Sequence, residues 1–140
     1  MSKLYDGDVV AWAREQAALL RSGRLERIDA LNIAEEIEAV ARSEEREMAG
    51  RFAVLLCHLL KWQFQSVRRS QSWQRTMRDQ RAAISHRLTK MPSLQALLDD
   101  DEWLSDAYND AVKLAAEETG LDEFPDTCPW TMQQILDPEF

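Results

Sequence analysis

The sequence predicts an all-α protein, an antiparallel bundle of about four main helices that forms a single domain over residues 1–140. The chain has only four glycines and four prolines in 140 residues, about half the usual share, so few tight turns can be built. These residues also separate long stretches in which apolar side chains recur every three or four positions. No segment alternates apolar and polar residues for long enough to predict a strand, so a sandwich or barrel of short strands is disfavoured.

The first helix is predicted to begin near residue 6 and to end near Arg21. Asp6 or Asp8 can accept hydrogen bonds from the N–H groups that a helix leaves unpaired at its start, and Ser22-Gly23 follows the helix. The stripe of this helix that should face the core consists of Val9, Trp12, Ala13, Leu19 and Leu20, with Gln16 as its one polar member.

The second helix is predicted to be unusually long, over about residues 30–65. Asp29 is a suitable N-cap, and Gly50 is the only glycine or proline in this range. One face of the helix consists of Ala34, Ile37, Ala41, Met48, Phe52, Leu55 and Leu59. At 1.5 Å per residue the helix extends for about 50 Å, which is more than one small globule requires. We therefore expect either a bend at Gly50 or a helix end that projects toward a partner.

The third helix is predicted to start at a serine cap and to end before Pro92. Either Ser70 or Ser72 can cap it, and the residue that precedes a proline avoids helical backbone. The residues on its core side are Trp73, Met77, Gln80, Ile84 and Leu88.

A fourth helical segment, 94–119, and a packed tail complete the predicted bundle. We expect the segment to break near residues 99–101, where an aspartate falls on its apolar stripe, and to end at Gly120. In the tail, we expect Phe124 and Trp130 to pack onto the bundle. Residues 131–134 read as a capping box for one short final helix.

The net charge of −8 is unevenly distributed along the chain. Residues 1–60 carry −3, residues 61–90 carry +7 and residues 91–140 carry −12. Because aromatic residues lie among the arginines of the basic segment, it could contact phosphates and stack on bases. The candidate anion-binding residues are Arg68, Arg69, Arg75 and Arg78. The favoured interpretation is that the segment neutralises the acidic helix after it, since the surrounding acidic segments oppose the approach of a nucleic acid.

The arginines of the basic segment are expected to divide by direction. Arg75 and Arg78 should point away from the apolar stripe and are the best candidates for contacts outside the bundle. Arg81 and Arg87 flank the stripe and should pair internally.

Cysteine and histidine offer no recognisable metal or nucleophile pattern. Cys57 and Cys128 are too few for a disulfide framework. Neither His58 nor His86 has a glutamate three positions before it, or a carboxylate or histidine four positions away, which disfavours helical metal centres. Cys57 and His58 are adjacent and lie about 100° apart on a helix, which is a poor arrangement for a nucleophile and its base. No cofactor is predicted.

A polar seam is predicted along the border of the second helix's apolar face; it consists of Glu38, Glu44, Glu47, Arg51 and His58. Glu47 can pair with Arg51 at i, i+4, and Glu38 lies nearest the apolar side and is expected to be a buried carboxylate. Glu44 and His58 lie about 20 Å apart along the helix and cannot share one active site. The favoured interpretation is the polar border of a core helix. The alternative is a seam that faces another helix or lines a ligand cleft.

Short motifs over nearly the whole chain carry a family resemblance. In the first half they are Leu4-Tyr-Asp6 with Trp12, Gln16-Ala-Ala-Leu-Leu-Arg21, Gly23-Arg-Leu25, Asn32-Ile-Ala-Glu-Glu-Ile-Glu38, Arg42-Ser-Glu44 and His58-Leu-Leu-Lys-Trp62. In the second half they are Arg69-Ser70, Ser72-Trp73, Gln80-Arg81, Pro92-Ser-Leu94, Glu118-Thr-Gly-Leu121, Phe124-Pro125 and Cys128-Pro129. In these motifs the chain resembles a bacterial family catalogued as domain of unknown function twenty-nine. Met91 departs from the serine that the family usually has before Pro-Ser-Leu, which should alter only a helix cap. The resemblance implies an all-helical fold and a bacterial source, and it implies no activity.

Three functional hypotheses follow from these features. The first is a non-enzymatic interaction protein that forms a homo-oligomer or binds a protein partner through the long second helix. The second is a polyanion or nucleic-acid binder that uses residues 61–90. The third, an enzyme that uses a polar cleft along the long helix, is least favoured because no nucleophile and base lie at a workable spacing. The N-terminus has no apolar leader and no apolar run is long enough to span a membrane, so we expect a cytoplasmic protein with no membrane partner.

Overall fold

The computed structural model describes residues 3–140, and it contains helices and no strand within that range. The α-helices are α1 (Lys3–Gly7), α2 (Val9–Arg21), α3 (Ala30–Phe64), α4 (Gln71–Lys90), α5 (Gln95–Leu98), α6 (Asp101–Thr119) and α7 (Met132–Leu136). Short 3-10 turns occur at Leu25–Arg27, Ser66–Arg68 and Pro92–Leu94. The predicted all-α helical bundle is confirmed.

The helix boundaries follow the capping residues that the sequence offers. Asp8, Ser70 and Asp100 each accept a backbone N–H bond in the first turn of α2, α4 and α6. Gly120 ends α6 with a φ of 76°, a left-handed conformation that glycine adopts without a Cβ penalty. Thr131 heads the predicted capping box of α7. These local signals therefore place the helix ends in the structure as they do in the sequence.

Two predicted interruptions have different outcomes. The break near residues 99–101 is confirmed, because α5 ends at Leu98 and α6 begins at Asp101. Gly50 does not end a helix, since α3 is continuous from Ala30 to Phe64. The five-residue helix α1 is an element that the sequence did not predict.

The chain forms two compact units, which we call the N-terminal unit, ending at Glu44, and the C-terminal unit, Glu45–Phe140. The division falls within α3. The interpretation of residues 1–140 as a single domain stays a prediction.

The hydrophobic core of the C-terminal unit includes the second part of α3. Its fully buried side chains are Met48, Phe52, Leu55, Leu56, Leu60, Ile84, Ala111, Ala115 and Ile135. The ring of Phe52 meets that of Trp103 edge-on, with centroids 5.1 Å apart. Trp130 is buried and Phe124 is half-buried against the core, so the expected packing of the tail is confirmed.

Two hydrogen bonds to Asp29 connect α2 to the residue before α3 in the N-terminal unit. Trp12 and Gln16 are its buried residues on α2. The indole Nε1 of Trp12 donates to Asp29 Oδ2 at 3.1 Å, and Gln16 Oε1 accepts the backbone N–H of Asp29 at 2.7 Å. The ring of Trp12 also packs edge-on against Tyr5, with centroids 4.7 Å apart. Val9, Ala13 and Leu20 of the predicted stripe are exposed instead.

The predicted apolar face of α3 is buried over only part of its length. Ala34, Ile37 and Ala41 are exposed, whereas Met48 and Phe52 are fully buried. Periodicity identifies the apolar side of a helix, but other elements must cover that side to bury it. The expectation of one continuous core face is therefore wrong for the first 15 residues of the helix, 30–44.

Candidate functional site

The polar seam is divided between the two units. Glu38 and Glu44 belong to the N-terminal unit, and Glu47, Arg51 and His58 belong to the C-terminal unit. The Glu38 side chain is exposed, with its Oε2 3.9 Å from Arg42 Nη1. The expectation that Glu38 is a buried carboxylate is therefore wrong, because the apolar face that it borders is itself exposed. Glu44 is partly buried.

The predicted pair of Glu47 and Arg51 forms on the surface of the C-terminal unit. Arg51 Nη2 lies 3.2 Å from Glu47 Oε1, and Arg51 Nη1 donates to Gln80 Oε1 on α4 at 3.4 Å. Both side chains of the ion pair are partly exposed, and such pairs stabilise a fold by less than about 1 kcal/mol. Arg51 thus connects α3 to α4 through a side-chain hydrogen bond.

His58 is a half-buried ring whose hydrogen bond goes to its own helix. Its Nδ1 lies 2.9 Å from the carbonyl oxygen of Val54, one turn earlier. Burial lowers the pKa of His58, although the bond to Val54 acts in the opposite direction. The neutral ring with a proton on Nδ1 satisfies this carbonyl, so the geometry gives His58 a structural role.

Lys61 and Glu118 form a partly buried contact between α3 and α6. The Nζ of Lys61 donates to Glu118 Oε2 at 2.6 Å, and it lies 4.8 Å from the ring centroid of Trp73 on α4. The Lys61 side chain is buried, whereas about half of the Glu118 side chain is exposed. No pattern in the sequence predicts this particular pair. The pair joins the first residue of the basic segment to the acidic helix, and neutralisation of that helix by the whole segment stays a prediction.

Cys57 lies against the same carboxylate and is held as a thiol. Its Sγ is 3.7 Å from Glu118 Oε2. Burial, together with the negative charge of Glu118, raises the pKa of Cys57 to about 12. A protonated, buried thiol is a poor nucleophile, so the geometry does not favour covalent catalysis at this position.

The four candidate anion-binding residues are all exposed on the C-terminal unit. Arg69 is engaged internally, because its Nε donates to the carbonyl oxygen of Trp62 at 2.7 Å and its guanidinium lies over that residue's ring. The Nε of Arg78 lies 3.5 Å from Oδ1 of Asp79, its neighbour in sequence. Arg68 and Arg75 are exposed on the 3-10 turn and on α4. Arg75 and Arg78 are thus exposed, as expected, and Arg78 also lines the cavity that is described next.

A cavity of ≈ 710 Å³ lies in the C-terminal unit, and the sequence did not predict it. Its apolar lining includes Leu59, Trp62, Met77 and Leu136, from α3, α4 and α7. Arg81 also lines it and is only 9% exposed. The Nε of Arg81 donates to the carbonyl oxygen of Ile135 at 2.8 Å, while its Nη2 has no hydrogen-bond partner. Burial lowers the pKa of Arg81, and the charge of Asp137 raises it.

Two further properties concern residues 3–140. No group of three or more His, Cys, Asp or Glu side chains within this range could hold a metal ion. Among the helices of the same range, none combines the length and the apolar character that crossing a membrane requires.

The chain matches a family described as Domain of unknown function DUF29 over residues 4–140. Because this match covers nearly the whole sequence, the chain belongs to that family, and the resemblance seen in its motifs is confirmed. The family's description assigns no function. Comparison with curated proteins and with solved structures gives no match.

Proposed function

We propose that this DUF29 protein is a non-enzymatic interaction protein that self-associates through the exposed first part of α3. The observation that carries this proposal is the exposure of Leu31, Ile37 and Val40, whose accessibilities are 80%, 65% and 65%. Complete burial of a side chain of this type gains about 1.5–3 kcal/mol over leaving it in water. Large apolar side chains grouped on one helix therefore favour association.

The association face consists of Leu31, Ala34, Ile37, Val40 and Ala41, all of which are exposed. With 100° of rotation per residue, the two alanines lie at its centre. Ile37 and Val40 lie on one side of them, and Leu31 lies on the other. Small residues at the centre let a second helix approach closely, while the larger side chains cover its flanks.

Charges beside the association face favour a second copy of this chain as the occupant. Glu35, Glu38 and Arg42 lie on the same side as Leu31, and Arg42 Nη2 is 2.8 Å from Glu35 Oε1 within one chain. Along the helix, both acidic residues precede Arg42, the basic residue. An antiparallel second copy reverses this order, and a two-fold axis that passes between residues 38 and 39 places each Arg42 beside Glu35 of the other chain. Such self-complementarity is what a two-fold symmetric interface requires.

The test of self-association is the mass in solution. Sedimentation equilibrium of the full chain should give twice the 16.2 kDa subunit mass. Ile37→Glu should return the protein to the subunit mass, because it places a charge within the apolar contact. Leu25→Glu is the matched control, since Leu25 is 62% exposed but lies outside the association face. A wild-type protein that stays at the subunit mass at every concentration would overturn the proposal.

A second experiment tests the antiparallel arrangement. Arg42→Glu gives a copy whose charged flank is entirely acidic, and the double variant Glu35→Lys with Glu38→Lys gives one whose flank is entirely basic. Each variant alone should associate more weakly than wild type, and an equimolar mixture should form mixed dimers in preference to either homodimer. Native mass spectrometry of the mixture measures this preference. A statistical distribution of dimers would show that these charges do not meet across the interface.

Polyanion binding is the second candidate function, and the exposure of Arg68, Arg75 and Arg78 favours it. A single-stranded oligonucleotide should then bind with an affinity that falls as salt rises. Arg75→Ala and Arg78→Ala should each weaken this binding, whereas Arg24→Ala, which changes an exposed arginine of the N-terminal unit, should not. Equal affinity in low and high salt would rule this candidate out.

A further inference from the structure

We propose that the cavity of the C-terminal unit is a binding site for an amphipathic monocarboxylate. The aliphatic or aromatic part of the ligand packs on the apolar wall, and its carboxylate binds the guanidinium of Arg81. All residues of this site belong to the C-terminal unit, so the site is independent of the association face.

The size and the wall of the cavity suit a small organic molecule. Its volume of ≈ 710 Å³ lies within the range of about 300–1,000 Å³ that is typical of small-molecule sites. Leu59, Trp62, Met77 and Leu136 provide apolar surface from three helices. Ala82 and Ser85 line the cavity from α4 and leave space there because their side chains are small.

The hydrogen bonding of Arg81 indicates the charge of the ligand. Its Nε is used by Ile135, which ties the final helix to α4, but its buried Nη2 has no acceptor. A buried donor of a charged group without an acceptor is costly. Asp137 acts on Arg81 through its charge, yet no carboxylate of residues 3–140 forms an ion pair with Arg81 within 4.0 Å. A ligand carboxylate in the cavity supplies the countercharge that this buried guanidinium lacks.

The surroundings of Arg81 favour one negative charge on the ligand. Glu139 also lines the cavity and opposes a more highly charged anion such as phosphate. Arg78 is the other basic residue of the lining, and it lies beside Asp79 at 3.5 Å. The apolar wall adds affinity only for a ligand with an apolar part. An amphipathic monocarboxylate satisfies both conditions.

The test uses sodium octanoate as the probe, added to the full chain below its micellar concentration. Saturable binding by titration calorimetry is expected, together with NMR shifts confined to residues 59–62, 74–85 and 135–140. 1-Octanol should bind at least about tenfold more weakly, because it cannot form the charge-assisted bond. Inorganic phosphate should not bind.

Two substitutions of alanine by phenylalanine test the position of the site. Ala82→Phe fills the cavity without changing Arg81 and should weaken octanoate binding at least about tenfold. Ala96→Phe changes an exposed alanine on α5 that does not line the cavity, and it should bind octanoate as wild type does. Arg81→Met removes the bond to Ile135 as well, so it tests the fold of the tail together with binding. The Ala82 and Ala96 pair separates the two effects.

Three results would overturn the proposal. These are no saturable octanoate binding, 1-octanol binding as tightly as octanoate, and unchanged binding in Ala82→Phe. The Ile37→Glu variant of the association face should bind octanoate as wild type does. Failure of self-association and failure of this site are therefore separate outcomes.

Discussion

The two parts of α3 carry similar apolar residues in different surroundings. Leu31, in the N-terminal unit, is 80% exposed, whereas Leu56, in the C-terminal unit, is completely buried. Within the C-terminal unit, α4, α6, α7 and the tail contribute side chains to one core. Within residues 3–44, the elements besides α3 are α1, α2 and the 3-10 turn Leu25–Arg27. The periodic spacing of apolar residues thus identifies a potential contact face of a helix. Whether that face is buried depends on the other elements that pack against it.

The largest expected effect comes from truncating these two leucines. Leu56→Ala should lower the free energy of unfolding by about 2–5 kcal/mol, because it leaves a cavity in a closed core. Leu31→Ala should change it by less than about 0.5 kcal/mol. Urea denaturation of both variants measures the difference, at a protein concentration low enough to prevent association. The two variants share chemistry and helix, so equal losses would contradict the contrast between the two parts of α3.

The partly buried ion pair of the C-terminal unit provides a second test. Glu118→Gln should destabilise by about 1–3 kcal/mol, because it leaves the buried ammonium of Lys61 with only a neutral acceptor. Lys61→Met should lower the free energy of unfolding by less than Glu118→Gln does. The half-exposed Glu118 can then be hydrated, and the methionine keeps an apolar stem. Thermal unfolding of both variants gives the order. A larger loss for Lys61→Met would mean that the alkyl stem and the contact with Trp73 matter more than the charge.

Loss of the polar bonds to Asp29 in the N-terminal unit should lower the free energy of unfolding about as much as loss of a helix cap. Asp29→Ala removes the acceptor of Trp12 Nε1 and the N-cap of α3, for an expected loss of about 1–2 kcal/mol. Amide hydrogen exchange should increase in α2 and in the first turns of α3. Glu26→Ala, at an exposed position of the same unit, is the control. Unchanged exchange in Asp29→Ala would show that apolar packing, rather than Asp29, holds this unit together.

The features that the sequence predicted correctly depend on near neighbours in the chain. Asp8, Ser70 and Gly120 act within one helical turn of themselves, so the helix ends follow from local residue types. The break before Asp101 follows in the same way, from charged residues on an apolar stripe. The length of the core face of α3 did not follow, because its cover comes from residues far away in sequence.

The contacts at the candidate sites depend even more on residues that are far apart in sequence. The pairing of Glu47 with Arg51 could be predicted, since the two residues lie one turn apart. The contact of Lys61 with Glu118 joins residues 57 positions apart, and the bond of Arg81 to Ile135 joins residues 54 positions apart. No periodic pattern encodes such contacts. The cavity beside Arg81 could therefore not be predicted from the sequence, because residues of the C-terminal tail form part of its lining.

The smallest expected effect is the pH dependence that comes from His58, and it reports on burial in the second part of α3. Burial lowers the pKa of His58 below its ordinary value of 6.5 in the folded protein. The unfolded chain therefore binds a proton first as the pH falls, so the stability from this group is full above pH 6.5 and declines below it. Glu118 acts in a separate window. The hydrogen bond from Lys61 lowers the pKa of Glu118, and its contribution is lost only below pH 4.5. His58→Gln should flatten the stability curve just below pH 6.5. An NMR titration that places the His58 midpoint at or above 6.5 would show that the ring is hydrated, and that this part of α3 is less enclosed than its neighbouring leucines indicate.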